Sequence, residues 1–252
     1  MSLFALPFDA ATIVAAGVIV FVAYTVFGMT GFGSSITAAP FLVLLFPLKF
    51  AVPMMVVFDL CGGSLLAVRT HGHVAWREMA RLAPWIALGM LAGVTLLVNA
   101  PERALLTLLA LFVLGYLARA RFGRTSTEPI SPRWAPPFGA CGGVFTALYG
   151  TGGPIYLIYF ARRLREARVL RATMGMLILL TAFVRVTLFA SAGLYAQPGL
   201  LALCAWLIPV GLAGLWIGSH LHQRLPPQRI VLVIHVVLLL GALNLLYRTL
   251  LA

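Results

Sequence analysis

Two charged residues lie deep inside apolar stretches of this sequence. Arg185 is in the middle of LLTAFVRVTLFASAG, far from either end of that run. An arginine at membrane depth is costly and functional by default, and its guanidinium fork matches the oxygens of a carboxylate, sulfonate or sulfite. The alternative is a structural ion pair, or a side chain that snorkels to the interface. Arg185 therefore predicts an anion as the substrate.

Asp59, in MVVFDLCGG, is the one carboxylate well inside an apolar run. The sequence leaves three interpretations open: a coupling site for protons, a partner of Arg185, or a residue close enough to the interface to need neither. His235, inside the last apolar run, is a minor candidate for proton handling. We carry Asp59 forward as the coupling candidate.

Two glycine-rich stretches interrupt apolar segments, GMTGFGSS at 28–35 and YGTGGP at 149–154. Unpaired backbone at membrane depth is tolerated only where it lines a cavity or is buried in protein. The N–H groups that begin the half-helix after each break favour an anion. The alternative is that the glycines permit close helix crossing. The predicted substrate-binding residues are Gly31, Gly33, Ser34, Ser35, Thr37, Gly150, Thr151, Gly152, Gly153, Pro154 and Arg185.

The elements that carry these residues must lie in a membrane. The chain is 62% hydrophobic and 10% charged, whereas about a quarter of the residues in a soluble domain are charged. Its apolar runs include two, 32–47 and 152–161, that are shorter than a straight span of about 20 residues and directly follow the glycine breaks. We interpret these two as half-helices or a re-entrant pair. The first run lacks a basic n-region before it and is interpreted as a retained span.

The two halves of the chain match each other. Gly28, Gly31 and Gly33 correspond to Ala147, Gly150 and Gly152, 119 residues later. The second match pairs Pro84, Gly89, Gly93 and Pro101 with Pro209, Gly214, Gly218 and Pro226, 125 residues later, and convergent helix packing could also produce it. We predict an all-α polytopic membrane protein of two inverted five-segment repeats, with 8–10 transmembrane or re-entrant helices broken near the midplane. The repeats are 1–120 and 134–252, joined by a cytoplasmic linker at 121–133.

Arginines indicate the orientation of these segments. If the segments alternate, the loops with most of the basic residues share one face, which the positive-inside rule assigns to the cytoplasm, with both termini outside. If the two short segments dipped in and returned, these basic loops would be divided between the two faces. The residues concerned are Arg69, Arg77, Arg81, Arg119, Arg121, Arg124, Arg133, Arg162, Arg163, Arg165, Arg168, Arg171, Arg224 and Arg229.

No cofactor, metal site or catalytic residue is predicted. The chain has no Walker pattern, no GxGxxG before a helix and no HExxH. Cys61, Cys141 and Cys204 lie in separate apolar runs and are interpreted as small hydrophobes. An intramembrane enzyme is disfavoured, because no Ser/His pair has a rhomboid-like GxSG context and no acidic cluster lies at membrane depth. The basic charge is interpreted as a topology signal, so no nucleic acid partner is expected.

The order of these motifs resembles the TauE/SafE family of sulfite and organosulfonate exporters over residues 10–250. The resemblance rests on the glycine breaks followed by APFLVLLFPLKFAV and THGHVAWREMARLAPWIALGMLAG, and then on GTGGPIYLIYFARR, RVLRATMG, Arg185 and PVGLAGLWIGSHLHQRLP. It implies a transporter of sulfur-containing or related organic anions in a bacterial or archaeal plasma membrane.

The predicted function is therefore secondary transport of a small anion across the lipid bilayer by alternating access, in the direction of export. Coupling to protons or sodium and assembly into a homodimer stay open. A passive anion channel is the main alternative, because the same motifs could build one.

Overall fold

The computed structural model describes residues 7–122, 128–221, 236 and 238–244. The loop with Arg224 and Arg229, His235 and most of the last apolar run lie outside these residues. The described chain is helical without β-strands, and 238–244 form helix. The longer helices are α1 (Ala10–Thr30), α2 (Ser34–Leu45), α3 (Leu48–Thr70), α4 (Trp76–Asn99), α5 (Glu102–Phe122), α6 (Ala135–Tyr149), α7 (Gly153–Ala161), α8 (Ala167–Ser191) and α9 (Leu200–Leu221).

Six of these helices are long and apolar enough to cross a membrane: α1, α3, α4, α5, α8 and α9. This confirms the predicted all-α fold over the described residues and agrees with a polytopic membrane protein. The remaining three, α2, α6 and α7, have 12, 15 and 9 residues. At 1.5 Å per residue, each is shorter than a hydrocarbon core of about 30 Å.

Helices α1 and α6 both end at a glycine in the left-handed conformation. Gly31 follows α1 with φ 81°, and its N–H donates to the carbonyl of Phe27. Gly150 follows α6 with φ 72°, and its N–H donates to the carbonyl of Thr146 at 2.8 Å. Glycine occupies this left-handed conformation without the steric cost that other residues incur, so both helices stop where the sequence predicts a break.

Each break turns the chain back, so that α1 with α2, and α6 with α7, form two hairpins. The second hairpin begins and ends at one end of the bundle, because Arg163 after α7 donates to the carbonyl of Ile130 before α6 at 3.1 Å. Arg163 also binds Glu78 near the start of α4 through two hydrogen bonds, 2.7 and 3.1 Å long. We call this the Glu78 end. It brings together three of the predicted basic regions: the start of α4, the linker and the α7–α8 loop.

The first hairpin begins and ends at the opposite end. There the N–H of Leu48 donates to Glu102 Oε1 at 2.6 Å, and Lys49 Nζ donates to the carbonyl of Val98 at 2.8 Å. Gln197, between α8 and α9, donates to the carbonyl of Lys49. We call this the Lys49 end. The two hairpins therefore enter the bundle from opposite ends.

Close glycine contacts join each hairpin to a helix of the other half. A methyl group added at Gly89 of α4 would lie 2.9 Å from the carbonyl carbon of Ala140 on α6. A methyl group added at Gly218 of α9 would lie 2.8 Å from the carbonyl carbon of Thr25 on α1. Only residues without a side chain let backbones approach this closely. Helices α4 and α6 run parallel, as do α1 and α9, while α3 and α8 cross antiparallel through the centre.

Candidate functional site

The centre of the bundle contains an ion pair between α3 and α8. Arg185 Nη2 lies 2.7 Å from Asp59 Oδ2, and the two side chains are 1% and 2% exposed. Of the three interpretations of Asp59, the structure therefore supports the second, a partner of Arg185. Each charge stabilises the other in a medium of low dielectric, and removing one partner of such a pair typically costs about 3–5 kcal/mol.

Three hydroxyl groups complete the surroundings of Asp59. Tyr24 of α1 and Ser34 of α2 donate to Oδ1 at 2.8 and 2.9 Å, and Ser35 donates to Oδ2 at 3.3 Å. A buried carboxylate needs such donors, because its oxygens lose their hydrogen bonds to water on burial. An oxygen that gains no other donor destabilises the folded protein. The first hairpin and α3 are therefore held together around one carboxylate.

The tips of the two hairpins meet beside Arg185. A methyl group added at Gly150 would contact Ser35, with 2.6 Å to its Cβ, and would lie 3.0 Å from Arg185 Nη1. A cavity of about 20 Å³ lies between the tips, which is room for about one water molecule. Its walls are Gly33, Ser34, Ile36, Asp59, Thr146, Gly150, Thr151, Gly153, Pro154, Tyr156, Ile178, Thr181 and Arg185.

Several donors at this cavity have no partner within the described residues. Arg185 uses Nη2 for Asp59, but its Nε and Nη1 are buried without a hydrogen bond, as is the hydroxyl of Thr151. Buried polar groups are nearly always paired, so a water molecule or another ligand in this cavity would complete these three groups. Since guanidinium offers only donors, that ligand must present acceptors.

The starts of both half-helices add positive potential. Neither Gly33 before α2 nor Gly152 before α7 provides a side-chain cap. The first N–H groups of a helix have no intrahelical partner, and the helix dipole places about half a positive charge at that end. Gly33 and Ser34 of α2 and Gly153 and Pro154 of α7 line the cavity, so both helix starts border it. This arrangement suits an oxyanion.

Most of the residues predicted from the sequence line this cavity, but four do not. Ser35 instead donates to Asp59, which lines it. Gly31 packs against the side chain of Arg171, where an added methyl group would lie 2.9 Å from Cγ. Gly152 packs against α6, where an added methyl group would overlap the hydroxyl of Thr146. Thr37 is buried, and its hydroxyl is unpartnered, but it is not among the residues that line the cavity.

The sequence reasoning missed four polar residues of the site: Tyr24, Thr146, Tyr156 and Thr181. Tyr156 and Thr146 are hydrogen-bonded to each other at 2.9 Å across the second hairpin. Thr181 lies one helical turn before Arg185 on the same helix, which is a spacing that could have been found. The other three are isolated polar residues in apolar helices, and no local pattern distinguishes them.

No group of three metal-binding side chains occurs in the part of the chain that the structure describes. What the site offers is one buried cation, fixed N–H donors and hydroxyl groups, with water largely excluded. Such a site can bind an anion and select it by the number and geometry of its oxygens.

This chain is similar in sequence to known membrane transporters. A protein of Comamonas testosteroni described as "Probable inner membrane transporter protein TsaS" is 25% identical over 194 residues, which cover 76% of this chain and 81% of that protein. No solved structure matches the chain significantly. The sequence pattern of the family described as "Sulfite exporter TauE/SafE" matches residues 16–245, nearly the whole length. The chain therefore belongs to the TauE/SafE family of membrane transporters.

Proposed function

We propose that this protein is a secondary transporter of a small anion, such as sulfite, an organosulfonate or a related organic anion. The observation that carries the proposal is that Arg185, which lines a cavity between two uncapped helix starts, has two buried nitrogens without a hydrogen-bond partner. Family membership and the relative named as an inner membrane transporter favour transport over any catalytic role. We name sulfur oxyanions because the family is described as sulfite exporters and because two oxygens of a sulfonate or sulfite can pair with a guanidinium fork.

We further propose that the site works by alternating access between two inverted repeats, residues 1–120 and 134–252, joined by the linker at 121–133. The contacts of the two halves are reciprocal, because α4 packs on the first helix of the second half and α9 on the first helix of the first half. The two hairpins enter from opposite ends and share one cavity. Movement of one hairpin and its partner helix would open the cavity to one end and close it to the other.

The Glu78 end is proposed to face the cytoplasm. It carries Arg77, Arg81, Arg133, Arg162 and Arg163, and the positive-inside rule assigns such a face to the cytoplasmic side. Both termini would then be extracytoplasmic. Single cysteines placed at 132 and 198 in a variant lacking the native thiols test this: an impermeant maleimide applied to intact cells should label position 198 and spare position 132.

Transport itself is tested with purified protein in proteoliposomes. Efflux of sulfite, methanesulfonate or acetate should saturate with concentration in the wild type and be lost in Arg185→Ala, while choline is not carried by either. Arg103→Ala, at the start of α5, is the matched control for loss of an arginine. Full anion transport by Arg185→Ala would refute the site. Flux that never saturates would favour the passive channel, although a closed cavity of about 20 Å³ is not a continuous pore.

A further inference from the structure

The buried site is electrically neutral before a ligand binds, because it contains one arginine and one aspartate. A monoanion adds a negative charge beside Asp59, and neighbouring negative groups in a closed cavity disfavour each other's charged form. We infer that Asp59 takes up one proton for each monoanion bound, so that the loaded site is neutral again. This inference rests on the proposed anion site at Arg185, and it extends that proposal from binding to coupling.

The geometry identifies the oxygen that receives the proton. Oδ1 of Asp59 accepts hydrogen bonds from Tyr24 and Ser34, and these two bonds do not depend on the position of the Arg185 side chain. Oδ2 depends on Arg185 at 2.7 Å and on Ser35 at 3.3 Å. When the guanidinium turns its N–H groups towards an anion, Oδ2 retains only the longer of these two bonds. One proton from water then binds Oδ2, the carboxylate becomes a carboxylic acid, and the site is neutral again.

Few other groups near Asp59 can exchange that proton. The neighbouring helices present Tyr24, the hydroxyls of Ser34 and Ser35, and Arg185, and Tyr156 lies across the cavity. Helix α9 contributes the buried thiol of Cys204 near Cys61 of α3. Burial raises the pKa of Tyr195, in the turn before α9, to about 12, so this phenol stays neutral. The remaining acidic residues of the described chain lie near helix ends or, for Glu128, in the linker; they are Asp9, Glu78, Glu102, Glu128 and Glu166.

A proton fits this position better than a sodium ion does. A proton needs no coordination shell, whereas a metal ion requires several oxygen ligands around it.

The test uses methanesulfonate, whose own charge is constant over the pH range of the measurement. Binding to purified wild-type protein is followed by calorimetry and, in weakly buffered solution, by an indicator dye that counts protons. We expect one proton taken up per anion bound. Because the loaded protein binds one proton more than the free protein, the affinity should fall about tenfold for each unit of rising pH over the range in which this uptake occurs.

Two variants provide the comparison. In Asp59→Asn, no carboxylate competes with the anion for the guanidinium of Arg185, so methanesulfonate should bind more tightly at neutral pH. Binding to this variant should take up no proton and should not depend on pH. Glu102→Gln removes a carboxylate at the Lys49 end while its amide oxygen still accepts from Leu48, so it should keep one proton per anion.

The outcomes separate this inference from the proposed function. Anion binding to the wild type without proton uptake overturns the coupling and leaves the anion site in place, since the helix ends would then balance the added charge alone. Binding that requires sodium instead of protons also overturns it. If the wild type binds neither methanesulfonate nor sulfite, the anion site fails, and the coupling fails with it. The proton count on the wild type needs no variant to fold.

Discussion

Replacing Gly150 by alanine tests whether the two hairpin tips meet at the site. Gly150 has φ 72°, and an added methyl group would lie 2.6 Å from Ser35 Cβ and 3.0 Å from Arg185 Nη1. The left-handed conformation costs alanine about 1–2 kcal/mol. Contact closer than the usual 3.5–4.0 Å between carbons forces the tips apart, and such overpacking costs about 1–3 kcal/mol more. We therefore expect Gly150→Ala to destabilise the protein by roughly 2–5 kcal/mol and to abolish anion binding.

Alanine substitutions at two other glycines of the same site distinguish the cost of backbone strain from the cost of steric overlap. Gly33 has φ 93°, but the nearest atom to an added methyl group is 3.7 Å away, so Gly33→Ala should show only the strain of about 1–2 kcal/mol. At Gly153 the nearest atom, in Phe32, is 3.5 Å away and no left-handed conformation is involved, so Gly153→Ala should have the smallest effect. Thermal unfolding in detergent and sulfite affinity by calorimetry should rank the three variants in that order.

A second substitution provides a rescue. Ser35→Gly removes both Ser35 atoms that the new methyl group meets. The double variant Gly150→Ala with Ser35→Gly should therefore regain the stability lost to steric overlap but not the stability lost to backbone strain. If Gly150→Ala is no more destabilising than Gly33→Ala, or if the double variant recovers nothing, the tips are not in contact and the proposed site is wrong.

Further predictions concern the ion pair and the helix contacts. Arg185→Ala should destabilise the protein by about 3–5 kcal/mol, and adding Asp59→Ala should restore part of that loss, because no buried charge is then unpaired; a double variant less stable than the single one would contradict this. Tyr24→Phe should cost about 1.5–3 kcal/mol at neutral pH, since a charged acceptor loses one donor, and unchanged thermal unfolding would refute it. Gly89→Ala should disrupt the packing of α4 on α6, whereas Gly115→Ala, with no atom within 4 Å of the new methyl group, should be neutral or stabilising; equal unfolding midpoints would show that α4 and α6 are not in close contact.

From the sequence we could predict where the helices break and which charged residues lie deep inside the protein. Gly31, Gly33 and Gly150 end or begin helices where they were expected to, because a left-handed turn is a local property that glycine permits. Arg185 was identified as buried because an arginine in the middle of a long apolar run has no interface within reach. Both inferences need only the neighbouring residues along the chain.

Tertiary structure alone decided which of these residues share a site. Asp59 and Arg185 are 126 residues apart, and only the crossing of α3 and α8 brings them to 2.7 Å. Tyr24 joins them from a third helix, and Gly31 and Gly152, which the sequence grouped with the site, instead pack against Arg171 and Thr146. In an apolar helix every face is hydrophobic, so periodicity cannot say which face meets which neighbour. That choice is made by close packing between helices, and it brings the two breaks and the two charges together in one buried site.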